Sequence, residues 1–341
     1  MTTSPLPDAA RFDRFFDLLW GVMSTRCLYV AADLGIADQL VDGPRPLDEV
    51  ARAVGADADA LARIVRALVA MDVFTAPAPG VVGLAPIGEL LVGDGPGSLR
   101  QLALFWGGEV YETWGELSYS ARTGRPAFDH IHGEGHFDWL SHHPERAWVF
   151  DRAMAGGAAA RIPPLLAHDW SQVGRVVDVG GGNGTILRAL LADNPHLHGT
   201  LFDLPHVATA AASGIADDGL ADRCQIVPGS FFDRVPRDGD VYLLLQILHD
   251  WDDQDALRIL HSVRAAIPAH GVLLLVELIV PDHDRPHPAK LLDLQMLVLL
   301  GGRERTLEEW RALLAAAGFV LGEITQGPRS SVIEALPVED A

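Results

Sequence analysis

Residues 176–185, VVDVGGGNGT, decide the fold. Val176, Val177 and Val179 are β-branched and apolar, the composition of a strand buried in a parallel sheet. Gly180, Gly181, Gly182 and Gly184 follow, and a loop so poor in side chains lets the backbone turn sharply and approach a ligand closely. The segment ILRALLADN after it has the pattern of a helix whose first amides would face that ligand. About twenty residues past the loop, Asp203 closes a second apolar strand, GTLFDL, where a carboxylate can accept hydrogen bonds from ribose hydroxyls. Together these features predict a nucleoside-containing cofactor.

Spacing narrows the choice of cofactor. A dinucleotide fingerprint has the form G-x-G-x-x-G near the start of its domain, whereas this loop is G-G-G-N-G and lies past the middle of the chain. With Asp178 two residues ahead of the first glycine, D-V-G-G-G-N-G resembles the S-adenosylmethionine loop of class I methyltransferases.

Composition limits the partners. A chain of 341 residues has room for two domains, and its formal charge of −20 argues against nucleic acid or an anionic membrane, either of which requires a basic face. The first residues, MTTSPLPDAARFDRFF, lack the apolar centre of a signal peptide. The longest apolar run, GVLLLVELIV, is broken by Glu277 and is short for a membrane span. Cys27 and Cys224 are too few and too far apart for a disulfide framework or a cysteine metal site, so a cytoplasmic protein without a structural metal is expected.

The pattern changes twice along the chain. Residues 1–100 read as helices followed by a helix-turn-helix rhythm, PLDEVARAVGADADALARIVRALVAMDVF, and VVGLAPIGELL, which could form a short wing. Between Arg45 and Val92 there are four arginines against six acidic residues. A DNA-reading helix needs phosphate-facing cations, so a dimerising winged helix is expected instead. The surplus of apolar helix there predicts a homodimer. Residues 101–170 form a helical connection rich in aromatics and histidine. Trp106, Phe150 and Met154 are candidates for an apolar substrate wall, and the histidines between His130 and His143 are expected to face solvent. From 171 to 341, strands and helices alternate as in a doubly wound α/β sheet, whose ligands bind at the carboxyl ends of the strands.

One further constellation points to chemistry. His249 leaves the apolar strand DVYLLLQIL, and acidic residues follow at two comparable positions, Glu277 within another apolar strand, LLLVELIV, and Glu304 in GGRERT. Neutral imidazole can remove a hydroxyl proton near pH 7, and a carboxylate on its other nitrogen fixes the tautomer and stabilises the imidazolium. V-D-V-G-G-G-N-G, F-D-L-P, G-S-F-F, L-H-D-W-D-D and G-G-R-E-R-T occur in the order and spacing of small-molecule O-methyltransferases, the plant caffeate enzymes and the bacterial tailoring enzymes of polyketides and anthracyclines. The resemblance covers nearly the whole chain.

It implies a class I Rossmann-like catalytic domain, an N-terminal winged-helix dimerisation domain, and His249 as general base flanked by Glu277 and Glu304. It places S-adenosylmethionine against Asp178, Gly180, Gly182, Asp203, Leu204, Ser230, Phe231 and Gln246. Asp250 and Met296 join Trp106, Phe150 and Met154 as acceptor contacts. Two positions depart from the family pattern: Leu245 stands where a basic residue is common, and Ser230 where an aspartate is common. The expected reaction is methylation of a phenolic or enolic hydroxyl on an aromatic secondary metabolite. The alternatives are N- or C-methylation or hydroxylation on the same platform, or a winged-helix sensor of small molecules.

Overall fold

The computed structural model describes residues 9–95, 97–158, 162–237, 239–327 and 329–338. A 25-residue helix, Ala9–Asp33, opens the chain. Its first part carries Phe12, Phe15, Leu18, Leu19, Trp20 and Met23 exposed, while Ala31 and Ala32 are buried. Gly35, with φ of +64°, ends this helical run before a short turn of helix at Ala37–Leu40. The winged-helix region follows with β1 (Arg45–Pro46), helices Leu47–Ala53 and Ala58–Ala70, and the hairpin β2 (Phe74–Ala78) and β3 (Val81–Leu84). The three strands form one small sheet in the order β1-β3-β2. The expected wing is thus narrower than VVGLAPIGELL: only its first four residues are strand, and Pro86 starts a turn of helix, where its fixed φ is favoured. Asp57 caps the Ala58–Ala70 helix by accepting from Ala60 N at 2.8 Å.

The chain divides into two compact units, one running to Glu112 and taking in Trp148–Gly156, the other formed by Thr113–Ala147 and the residues from Gly157 onward. The second unit is built on a seven-stranded sheet. Its strands are β4 (Arg175–Val179), β5 (His198–Asp203), β6 (Cys224–Pro228), β7 (Val241–Leu245), β8 (Val272–Glu277), β11 (Phe319–Gln326) and β12 (Ser331–Pro337). The order across the sheet is β11-β12-β8-β7-β4-β5-β6; β6, β5, β4, β7 and β8 are parallel, β12 runs antiparallel to β8, and β11 antiparallel to β12. A two-residue parallel pair, β9 (Ile279–Val280) with β10 (Arg305–Thr306), stands beside it.

Both faces of the sheet are covered. Ile259, Leu260, Val263, Trp310 and Leu314 pack with Tyr242, Leu244 and Leu275 on one face. On the other, Leu187, Leu190, Leu191 and Ile215 pack with Val176, Leu201 and Leu243. Burial on both faces explains why these strands are continuous apolar runs. The chain winds outward from β4 through β5 and β6, then crosses back to β7 and β8, so the strand order reverses between β4 and β7. Sheets of this kind bind ligands in the crevice at that switch point, outside the carboxyl ends of the strands.

Candidate active site

The β4 side of the crevice is a glycine loop held by carboxylates. Gly180 and Gly182 have φ of +74° and +59°, conformations that disfavour any residue with a Cβ. A Cβ on Gly180 would lie 2.6 Å from Ile247 and 3.6 Å from the Phe231 ring, so the loop after β4, the turn after β6 and the turn after β7 converge there. A Cβ on Gly182 would meet nothing within 4 Å, which leaves its backbone open to a ligand. Asp203 accepts from Gly182 N at 2.8 Å and from Leu204 N at 2.6 Å, so the carboxylate that ends β5 also sets the shape of the loop. Burial pushes the Asp203 carboxyl above its usual range despite these two bonds.

Asp178, buried within β4, has an oxygen with no hydrogen-bond partner among the described residues. Burial, and then the charge of Asp203, raise its pKa to about 7. A glycine cradle beside a buried carboxylate with one unpartnered oxygen, and a second carboxylate held above its usual range, fits a ligand that brings hydroxyl donors and positive charge, as S-adenosylmethionine does. Leu204 is exposed at the start of helix Pro205–Asp217. Ser230 Oγ accepts from Phe232 N at 3.2 Å, and Gln246 takes the left-handed conformation, φ +52°, while its amide bonds Val276 O at 3.0 Å.

The β7 side holds the imidazole. His249 lies in a single turn of helix, Leu248–Asp250, after which Asp252 caps helix Asp253–Ala266 by accepting from Asp255 N at 2.9 Å. His249 Nδ1 is 2.9 Å from Glu304 Oε1, and since a carboxylate can only accept, Nδ1 carries the proton. Nε2 is 3.3 Å from Asp250 Oδ1. Glu277 stands farther off, 3.9 Å from Nδ1, and its other oxygen accepts from Leu248 N at 3.1 Å. The two glutamates thus have different tasks, Glu304 on the ring and Glu277 on the backbone that carries it. They meet because β10 pairs with β9, just past the end of β8, with Arg305 opposite Ile279.

Burial alone would lower the His249 pKa, yet Asp250, Glu277 and Glu304 together raise it to about 10. Burial raises Glu277 to about 7, against the pull of His249. Burial likewise lifts Asp250 to about 6, with His249 opposing. One nitrogen and two carboxylate oxygens, from His249, Glu277 and Glu304, lie within 4.8 Å of one another, the one grouping of metal-ligand composition among the described residues. The hydrogen bond to Glu304 already engages the nitrogen that faces it.

Of the expected acceptor contacts, Asp250 sits against the imidazole, and Met296 is buried on helix Pro288–Leu299. Asp293 on that helix accepts from Glu304 N at 2.9 Å, which ties the helix to the carboxylate on the ring. Trp106, Phe150 and Met154 belong to the other unit. Trp106 opens a π-turn at Trp106–Val110, and Phe150 packs edge-on against Phe105 with ring centroids 5.5 Å apart. The histidines correct one expectation. His136 is only 2% exposed, and it lies against Phe128 and Trp139 in a cluster where His132 stacks on Phe128 and His143 on Trp139. Aromatic neighbours thus make His136 core material and half-bury His132 and His143, while His130 and His142 are exposed as expected. Sequence reading also passed over Arg305, which sits inside the quoted G-G-R-E-R-T and whose buried guanidinium binds the His249 turn.

Comparison with known proteins agrees with this geometry. A family model for the O-methyltransferase domain matches residues 114–320, and one for the O-methyltransferase dimerisation domain matches residues 16–94. The phenazine O-methyltransferase PhzM of Lysobacter antibioticus is 43% identical over 94% of this chain and 95% of its own length. The 3-amino-4-hydroxybenzoate 4-O-methyltransferase of Streptomyces cremeus is 38% identical over 94% and 88%. Among solved structures, an O-methyltransferase from neocarzinostatin biosynthesis, NcsB1, in complex with S-adenosylmethionine and 2-hydroxy-5-methyl naphthoic acid, superposes with a TM-score of 0.80. It is 36% identical, with 92% of this chain and 96% of that one covered. No helix among the described residues is long and apolar enough to cross a membrane. The glycine cradle, the imidazole between carboxylates and these matches give one conclusion: the chain belongs to the S-adenosylmethionine-dependent O-methyltransferase family and carries that family's dimerisation domain.

Proposed function

We propose that this enzyme methylates a phenolic or enolic hydroxyl of an aromatic secondary metabolite, with His249 removing the acceptor proton. The observation that carries this reading is the setting of the imidazole, whose Nδ1 is fixed by Glu304 at 2.9 Å while Nε2 lies 3.3 Å from Asp250 Oδ1. The cofactor supplies an activated methyl group. The chain's own residues do the rest. Gly180, Gly182, Asp203, Leu204, Ser230, Phe231 and Gln246 form its cradle, and Asp178 supports that cradle from below. Met296 and Asp250 take the acceptor.

Asp250, Glu277 and Glu304 raise the proton affinity of the imidazole, which favours its taking a proton from a hydroxyl oxygen. Relatives that act on a phenazine, an aminohydroxybenzoate and a hydroxynaphthoate support an aromatic acceptor of that kind. The reading includes work in the cytoplasm, supported by two cysteines that form no disulfide.

The test is incubation of the enzyme and of His249→Ala with labelled cofactor and a panel of phenolic polyketides, naphthoates and hydroxyphenazines. Expected is an O-linked methyl group, located by NMR of the product, and a large loss of turnover in the variant. N- or C-linked product from the wild type, or full turnover by His249→Ala, would overturn it.

A further inference from the structure

We propose that Arg305 is a positioning residue for the base, clamping the turn that carries His249 without touching either ligand. Its side chain is 1% exposed, although an arginine is almost never so deeply buried unless its donors are matched. Here they are matched to one purpose. Nη1 donates to Leu248 O at 2.9 Å and Nη2 to Trp251 O at 3.0 Å, so the two carbonyls that bracket His249 and Asp250 hang on a single rigid fork. Nε and Nη2 both bind Asp253 Oδ1, at 3.0 and 2.8 Å, which anchors the fork to the first turn of the next helix. Beyond it lies the Trp310 ring, 5.2 Å from the guanidinium carbon.

Two further contacts hold the same segment from its other side. Arg303 N donates to His249 O at 2.8 Å, and Gly302 presses so closely on the turn that a Cβ there would lie 2.1 Å from His249 O. Glu304, between Arg303 and Arg305, is thereby fixed with its carboxylate on Nδ1. A lysine could satisfy one of the two carbonyls, not both, because a single ammonium lacks the planar fork. The clamp follows from contacts within the chain, and only the word base rests on the reading proposed above.

The clearest probe is the His249 Nδ1 proton, whose bond to a carboxylate gives a far-downfield NMR resonance, assigned by its absence in His249→Ala. Arg305→Lys and Asp253→Ala are compared with the wild type. Asp253 is largely exposed, so its truncation leaves the fold intact. Both variants are expected to lose or shift the resonance while binding S-adenosylhomocysteine, measured by calorimetry, as tightly as the wild type. Turnover should fall with it, by as much as about 10²-fold for Arg305→Lys, the scale on which small misplacements of a reacting group act.

An unmoved resonance in the folded variants would overturn the clamp, as would loss of S-adenosylhomocysteine binding in step with the resonance, which would show collapse of the whole sheet edge. If Arg305→Lys does not fold, Asp253→Ala decides. Should the resonance respond as stated while His249→Ala retains full turnover, the clamp stands and the base assignment falls.

Discussion

At the end of β4 a buried carboxylate, Asp178, and a half-buried one, Asp203, stand together with little besides backbone amides and His206 to offset them, and both are held above the usual carboxylate range. At the end of β7, three carboxylates surround an imidazole and a buried guanidinium binds the same turn. One Asp178 oxygen lacks a hydrogen-bond partner among the described residues, and so does one oxygen each of Glu277 and Glu304. What differs is the cation: the β7 group holds its own imidazole and guanidinium, whereas the β4 group has none of comparable burial. The contrast separates a glycine loop that suits a positively charged ligand, as proposed above, from a ring that its own chain already fixes.

The largest effect is expected at the imidazole. General-base assistance contributes about 10² to 10⁴ in rate, so His249→Ala should lower kcat by that factor with cofactor affinity unchanged. Single-turnover and binding measurements on one sample check this. Equal losses in both quantities would erase the distinction between the two sites. At the glycine loop, Asp203→Ala should weaken S-adenosylhomocysteine binding by about 1.5–3 kcal/mol, or roughly 10- to 150-fold, the range for a hydrogen bond to a charged group. Calorimetry should also show wild-type affinity rising with pH as Asp203 ionises, since it accepts donors in that form.

The glutamates separate next. Glu304→Gln should cost on the order of tenfold or somewhat more in kcat. It should also shift the rising limb of the pH–rate profile toward acid, because removing a negative neighbour lowers the His249 pKa from about 10. Glu277→Gln should do less of both, its oxygen lying 3.9 Å from the ring.

The smallest expected effect concerns stability. His249, raised from 6.5 to about 10, contributes stability that is complete below pH 6.5 and fades as the pH climbs through 10. Asp178, raised from 3.8 to about 7, makes the fold lose stability between those two values, because the carboxyl ionises in the unfolded chain while the buried one stays protonated. Asp178→Asn should therefore flatten the fall of Tm between pH 4 and 7, gaining on the order of 1 kcal/mol at pH 8, and His249→Ala should flatten it between 7 and 10. Thermal melts across pH separate the two windows.

Legibility in the sequence followed locality. The strand, glycine loop and helix from Val176 onward are contiguous, and their chemistry shows in ten residues. His249, Glu277 and Glu304 were readable as a set because each follows an apolar strand or opens a helix. Which glutamate touches the ring was not readable, since it depends on the register of β10 against β9. Arg305 was hidden for a related reason: a lone arginine beside a glutamate looks like surface, and only the folded turn supplies the carbonyls that bury it. The histidines of residues 130–143 misled in the opposite direction, because no spacing rule announces stacking on Phe128 and Trp139.

The pairing of Arg305 with Ile279 and Thr306 with Val280 has a consequence for the order of events during synthesis. Glu304 comes 55 residues after His249, and Arg305 comes 57 after Leu248, so neither carboxylate contact nor clamp can form until nearly the whole chain has left the ribosome. The bond from Gly182 N to Asp203 closes a loop of only 21 residues and can form much earlier. Contacts that close long loops form late in folding. The glycine loop can thus take its shape before Glu304 and Arg305 reach the turn that carries His249.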